Sequence, residues 1–129
     1  MSPELTVLAL AGLLQAAQFT AYSVAANLQV GPRYALGPRD TPRVLTGMAG
    51  RLQRALGNHF EGLILFTLAV VVVTLSGKAT TFTAACAWAY LAARILYVPA
   101  YAFGLSPWRS LVWALGFLAS IAMILAALL

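Results

Sequence analysis

Between Arg51 and Glu61 four polar side chains recur at helical spacing: Arg51, Arg54, Asn58 and Glu61 stand at i, i+3, i+7 and i+10. At ~100° per residue they share one stripe roughly 80° wide. The uncharged run from Gly62 to Leu75 follows directly, so the stripe leads into an apolar helix and its last members sit at the edge of a bilayer or below it. Ionisable groups at that depth are rare unless they face other helices or a wet cavity.

A second line follows in Tyr90, Arg94, Tyr97 and Tyr101, confined to a sector of roughly 60°. Aromatic anchoring at the membrane edge accounts for Tyr101, and extends to Tyr97. It does not account for Arg94, about two turns inside its helix. That arginine needs an acceptor, and Glu61 is the acidic residue expected at similar depth. The expected pair is Arg94–Glu61 or Arg54–Glu61, with Asn58 satisfying what remains. Arg109 and Ser110 open the last apolar segment. Arg51, Arg54, Arg94 and Arg109 set against Glu61 alone cannot neutralise themselves. A small ligand carrying carboxylates suits such a donor set; the alternative is a polar network that only locks the helices together.

The elements that position these residues follow from composition. The chain has 129 residues, 62% of them hydrophobic and 9% charged, with a mean hydropathy of +0.88. That is one domain, 1–129, and too much apolar surface for water to be its only solvent. Seven arginines and Lys78 outweigh Glu4, Asp40 and Glu61 to give a net charge of +5. The arginines flank or enter apolar segments, which reads as membrane topology and not as a nucleic-acid surface. Cys86, the single cysteine, reads as a packing residue. His59 stands about 120° off the centre of the first stripe and is not assigned to catalysis. No metal-ligand constellation, P-loop or nucleophile elbow is present.

The expected fold is an all-α membrane protein, a four-transmembrane-helix up-down bundle, with helices over about 4–30, 42–75, 80–103 and 107–129. In the first, Gln15, Gln18, Tyr22 and Asn27 fall roughly on one side, read first as inter-helix hydrogen bonding. A basic n-region is missing before it, so the segment reads as a retained helix and not a cleaved signal. Thr41-Pro42 and Ser106-Pro107 are expected to cap and start the second and fourth helices. Pro99 falls inside the third as an expected kink. The two arginine-bearing loops should be cytoplasmic and both termini should lie opposite.

The pattern Arg51-x-x-Arg54-Ala55-x-x-Asn58-x-x-Glu61, with Arg94-x-x-Tyr97-x-x-x-Tyr101 and Pro107-x-Arg109-Ser110, resembles the MAPEG family, membrane-associated proteins in eicosanoid and glutathione metabolism. The similarity spans essentially the whole chain and suits a bacterial-type, inner-membrane member. It implies a homotrimer with glutathione held between neighbouring subunits at the cytoplasmic side. By motif position Arg51, Asn58, Glu61, Arg94, Tyr97 and Tyr101 would contact glutathione. Arg54 would join the ionic network beneath, and Arg109, with Ser110, would sit near the thiol. A guanidinium beside a thiol favours the thiolate, for attack on an apolar electrophile or a hydroperoxide delivered through lipid. Gly50 stands where the family often has an acid, and Gly57 where some members have arginine. Tyr97 matches the leukotriene synthase branch; the prostaglandin E synthase branch has histidine there. Arg33 is set beside an arginine that some members place at the end of the first helix. The rival reading is a non-catalytic membrane assembly or binding subunit. A transporter is disfavoured, because after Ser110 the last helix offers only Ser120 as a polar residue.

Overall fold

Each of the four apolar segments forms one continuous helix long and apolar enough to cross a bilayer. A computed structural model of the chain describes residues 1–40 and 43–129. Helix α1 runs Pro3–Val30, a short α2 Pro32–Leu36, α3 Gly47–Leu75, α4 Thr81–Ala102 and α5 Trp108–Leu128. The protein is a multi-pass integral membrane protein built entirely of helices among the described residues.

The helix ends show where local chemistry departs from the sequence reading. Ser2 caps α1 by accepting from the Leu5 N–H at 3.2 Å. Thr80 and Thr83 exchange side chain–backbone bonds in a capping box at the start of α4, satisfying donors that a helix N-terminus leaves orphaned. The expected cap at Thr41-Pro42 lies outside the described residues, and α3 begins at Gly47 with Thr46 as its N-cap residue. In place of a side-chain cap, Gln29 of α1 clamps Thr46, accepting from its N–H at 2.8 Å and donating to its carbonyl at 3.1 Å. The Ser106 cap is not made: Pro107 itself is the N-cap residue of α5, and Trp108 the first helical one. Pro99 lies inside α4, where it removes a ladder donor.

Helix α4 packs most extensively on α5, and α1 on α3; α1–α4, α3–α5 and α3–α4 contacts close the bundle. Helices α1 and α5 stand at opposite corners, with α3 and α4 meeting across the short diagonal. The core is built from Val7 and Ala11 of α1, Phe66, Val70 and Val73 of α3, Tyr90 of α4 and Met123 of α5. Phe66 and Tyr90 stack face to face, centroids 3.9 Å apart and planes within 3°. Buried alanines at 55, 69, 87, 93, 100 and 119 let the helices approach, as small residues do in membrane bundles, where packing and not hydrophobic exclusion drives association. Large apolar side chains such as Leu13, Val24, Ile64 and Leu118 point outward.

The glutamine face of α1 needs correction. Of its four members only Gln18 is buried. Asn27 turns back on its own helix, donating to the Ser23 carbonyl at 2.9 Å.

Candidate functional site

The α3 stripe meets the ends of α4 and α5 where the arginines gather. Arg51, near the start of α3, donates from Nε to the Ala102 carbonyl at 2.6 Å. Ala102 is the last residue of α4, so its carbonyl has no intrahelical partner and sits at the negative end of the helix dipole. The guanidinium therefore caps one helix from another.

One turn further along α3, Arg54 Nε donates to the Tyr101 hydroxyl at 3.0 Å. Its guanidinium carbon lies 5.8 Å from the Tyr101 ring centroid, and that of Arg109 lies 4.9 Å from the same centroid. Tyr101 in turn packs on Tyr97 at 5.6 Å, and Arg94 lies over the Tyr97 ring at 4.4 Å. Three guanidinium groups are thus spread along two phenol rings, whose faces are partly negative and attract cations. Tyr97 is 3% exposed, which excludes a lipid-edge anchoring role for it.

Arg94 is also 3% exposed, and its Nη1 donates to Asn58 Oδ1 at 2.9 Å. This corrects the expected ion pair. Among the described residues neither Arg94 nor Arg54 is paired with Glu61, which remains exposed. Asn58 and Glu61 share a stripe but are about 4.5 Å apart along the helix axis. The amide sits level with Arg94 and satisfies one donor without drawing a carboxylate out of solvent. Arg94 Nε and Nη2 are buried without a partner.

Arg54, Asn58, Arg94, Tyr97, Tyr101 and Arg109 are therefore joined by direct contacts, and Arg51 adjoins them through the carbonyl of Ala102, next in sequence to Tyr101. Ser110 is exposed beside Arg109, and Glu61 lines a cleft together with Arg94. Arg33 lies on α2, which among the described helices packs on α1. Gly50 has a physical reason: a Cβ there would fall 2.7 Å from the Leu45 carbonyl oxygen and 3.3 Å from Arg54 Nη1. An acidic side chain at this position would force the incoming chain away from α3.

Three polar contacts were not legible as such. The Ala102 carbonyl carries no side-chain signal at all. His59, off the stripe, faces α1, its Nε2 lying 3.1 Å from the Ala11 carbonyl. At the opposite end of the bundle Glu4, 1% exposed, accepts from the Thr83 hydroxyl at 2.7 Å; an acid beside a helix N-cap serine was the available signal.

The sequence profile of the MAPEG family matches residues 5–129. No curated protein matches the chain.

Proposed function

The chain belongs to the MAPEG family, and from that premise we propose that it is a glutathione-binding membrane enzyme, a glutathione S-transferase or glutathione-dependent peroxidase acting on an apolar electrophile. The observation that carries the reading is Arg54 and Arg109 bracketing Tyr101 with no carboxylate paired to either among the described residues. A cluster so short of negative charge is suited to an anionic ligand. Glutathione has two carboxylates, an ammonium group and a thiol. The arginines match the first, Glu61 the second, and Arg109 stands at the rim for the third.

When bound, glutathione would supply a thiolate for bonding to an electrophilic carbon with loss of its leaving group or opening of its ring, or for reducing a hydroperoxide to the alcohol and water with a second glutathione completing the disulfide. The residues of the chain do the rest. Arg51 and Arg54 orient carboxylates; Arg109 holds negative charge at sulfur, lowering the proton affinity of the thiol. The exposed apolar faces admit the co-substrate from lipid. In this reading the subunits form a homotrimer in a bacterial inner membrane, with the arginine end cytoplasmic.

Titration of the purified protein with glutathione, with thiolate followed by its ultraviolet absorbance, tests the proposal. Saturable binding with thiolate formation is expected. Absence of binding at millimolar glutathione would leave the non-catalytic assembly reading in its place.

A further inference from the structure

Where α1 ends, the chain turns through α2 and a loop to reach α3. A cavity of about 120 Å³ lies in that corner, with Val30, Tyr34, Arg39, Arg43 and Leu45 in its lining. We propose that this corner binds an anionic phospholipid, its phosphate bridged by Arg39 and Arg43 and its acyl chains laid on the apolar side chains beside them. No member of the arginine–tyrosine cluster lines the cavity, so the inference is independent of glutathione binding.

The two guanidinium groups are held by the ends of two helices. Arg39 has a left-handed backbone, φ 57°, which reverses the chain and returns its side chain to α2. Its Nε and Nη2 both donate to the Ala35 carbonyl, at 2.9 and 2.6 Å. Arg43 lies over the Tyr34 ring at 5.0 Å, and its Nη1 donates to the Val30 carbonyl at 3.4 Å. Ala35 and Val30 stand in the last turns of α2 and α1, where carbonyls lack partners along the helix and attract cations. Gln29 fixes the far end of the loop through both backbone groups of Thr46. Side chains placed in this way have less freedom left to lose when a ligand binds.

Donors remain to spare. Nη1 of Arg39 and both Nε and Nη2 of Arg43 make no bond among the described residues, and Asp40, the acid of this loop, pairs with neither arginine. Two cations thus line one cavity without an anion, and a phosphate can accept from both at once. The surroundings assign that phosphate to a lipid. The apolar span of α1 stops at Val30, which puts the corner at the level of headgroups. Leu36, at the end of α2, and Val44, next to Arg43, are 89% and 86% exposed, an arrangement that acyl chains cover and water does not. A choline headgroup would bring its ammonium against two guanidinium groups, whereas a headgroup with net negative charge meets no such repulsion.

Native mass spectrometry of the full chain in detergent counts bound lipids directly, with dioctanoyl phosphatidylglycerol and dioctanoyl phosphatidylcholine as probes. Phosphatidylglycerol is expected to bind at a concentration about tenfold lower. Arg39→Gln and Arg43→Gln should each weaken it by about fivefold. Arg33→Gln removes an exposed cation of the same segment that does not line the cavity, and should change it by less than about twofold. Millimolar inorganic phosphate, at constant ionic strength, should not displace the lipid. Equal binding of the two lipids would overturn the inference, as would an Arg33→Gln effect as large as that of Arg43→Gln, because general attraction to a basic surface gives both. Displacement by inorganic phosphate would make this a site for a free anion and overturn the assignment to lipid. The lipid and phosphate comparisons use the unaltered protein, so they decide the question even where a variant fails to fold.

Discussion

Arg94 Nη1 and Asn58 Oδ1 lie 2.9 Å apart, tying the middle of α4 to α3 through a charged donor and a neutral acceptor. Arg94 is buried and Asn58 half-buried, so the bond fixes how the two helices sit at the level of the cluster. Asn58→Ala would leave a third guanidinium nitrogen without an acceptor. A bond to a charged group of this kind contributes about 1.5–3 kcal/mol, and its loss in a buried setting costs a similar amount. Asn58→Ala should therefore lower the midpoint of thermal unfolding in detergent, and Asn58→Asp, which keeps an acceptor level with Arg94, should recover most of the loss. Equal midpoints for Asn58→Ala and the unaltered protein would show that the bond does not hold the helices.

The Phe66–Tyr90 stack separates two contributions that are usually mixed. The rings stack face to face within the core, while the Tyr90 hydroxyl is buried without a partner. Phe66→Ala removes the ring and should cost about 3–5 kcal/mol, as other large-to-small core changes do. Tyr90→Phe removes only an unsatisfied polar atom, so it should leave stability unchanged or raise it by up to about 1 kcal/mol. Denaturant titrations of both variants check the pair. A strongly destabilised Tyr90→Phe would mean that the hydroxyl has a partner in the folded protein.

Arg109 is half-buried at the start of α5 with its guanidinium over Tyr101. Under the proposed function its charge favours thiolate over thiol, so removing it raises the thiol pKa toward the free value of about 8.5. At neutral pH Arg109→Ala should then carry less thiolate at saturating glutathione, and turnover should fall by roughly a hundredfold, the order seen when one charge-stabilising donor is removed. The residual activity should rise with pH, because alkali supplies the anion that the side chain no longer favours. Turnover and the ultraviolet thiolate signal, measured across pH, check both statements; full activity in Arg109→Ala would remove the residue from thiol activation.

How far the molecule was legible in its sequence depends on which physical signal a residue leaves. Spacing was sufficient for the two polar stripes, because every member of a helix face is displaced by a fixed angle. It brought Arg51 and Arg54 toward α4, and Arg94, Tyr97 and Tyr101 toward one another. Spacing does not give depth, and depth decided the partner of Arg94: Asn58, one turn nearer the start of α3 than Glu61, reached it first. Backbone acceptors leave no trace in residue type, so the Arg51 bond to Ala102 was invisible. The cleft at Arg94 is made by absences, Gly62 and Gly116, and glycines in apolar helices signal close packing and open space alike. Polar periodicity on α1 misled because Asn27 satisfies itself along its own helix.

At the opposite end of the bundle, Glu4 and Thr83 form a second buried contact between helices. The Thr83 hydroxyl oxygen accepts from the Thr80 N–H at 2.8 Å and lies within donating distance of both Glu4 Oε1, at 2.7 Å, and the Thr80 carbonyl oxygen, at 2.9 Å. Thr83 thus caps α4 and anchors the first turn of α1 with one hydroxyl. Thr83→Val keeps the branched shape and removes both functions, leaving a buried carboxylate without its donor. A loss of about 1–3 kcal/mol is expected, with fraying of α1 seen as faster proteolysis near Ser2. Thr83→Ser, which keeps the hydroxyl, should restore most of it. Glu4→Gln keeps an acceptor but gives up a negative charge at a helix N-terminus, a smaller cost of about 0.3–1 kcal/mol. Thr83→Val should therefore be the more damaging of the two by unfolding midpoint, and the reverse order would mean that the dipole, not the hydrogen bond, holds α1 against α4.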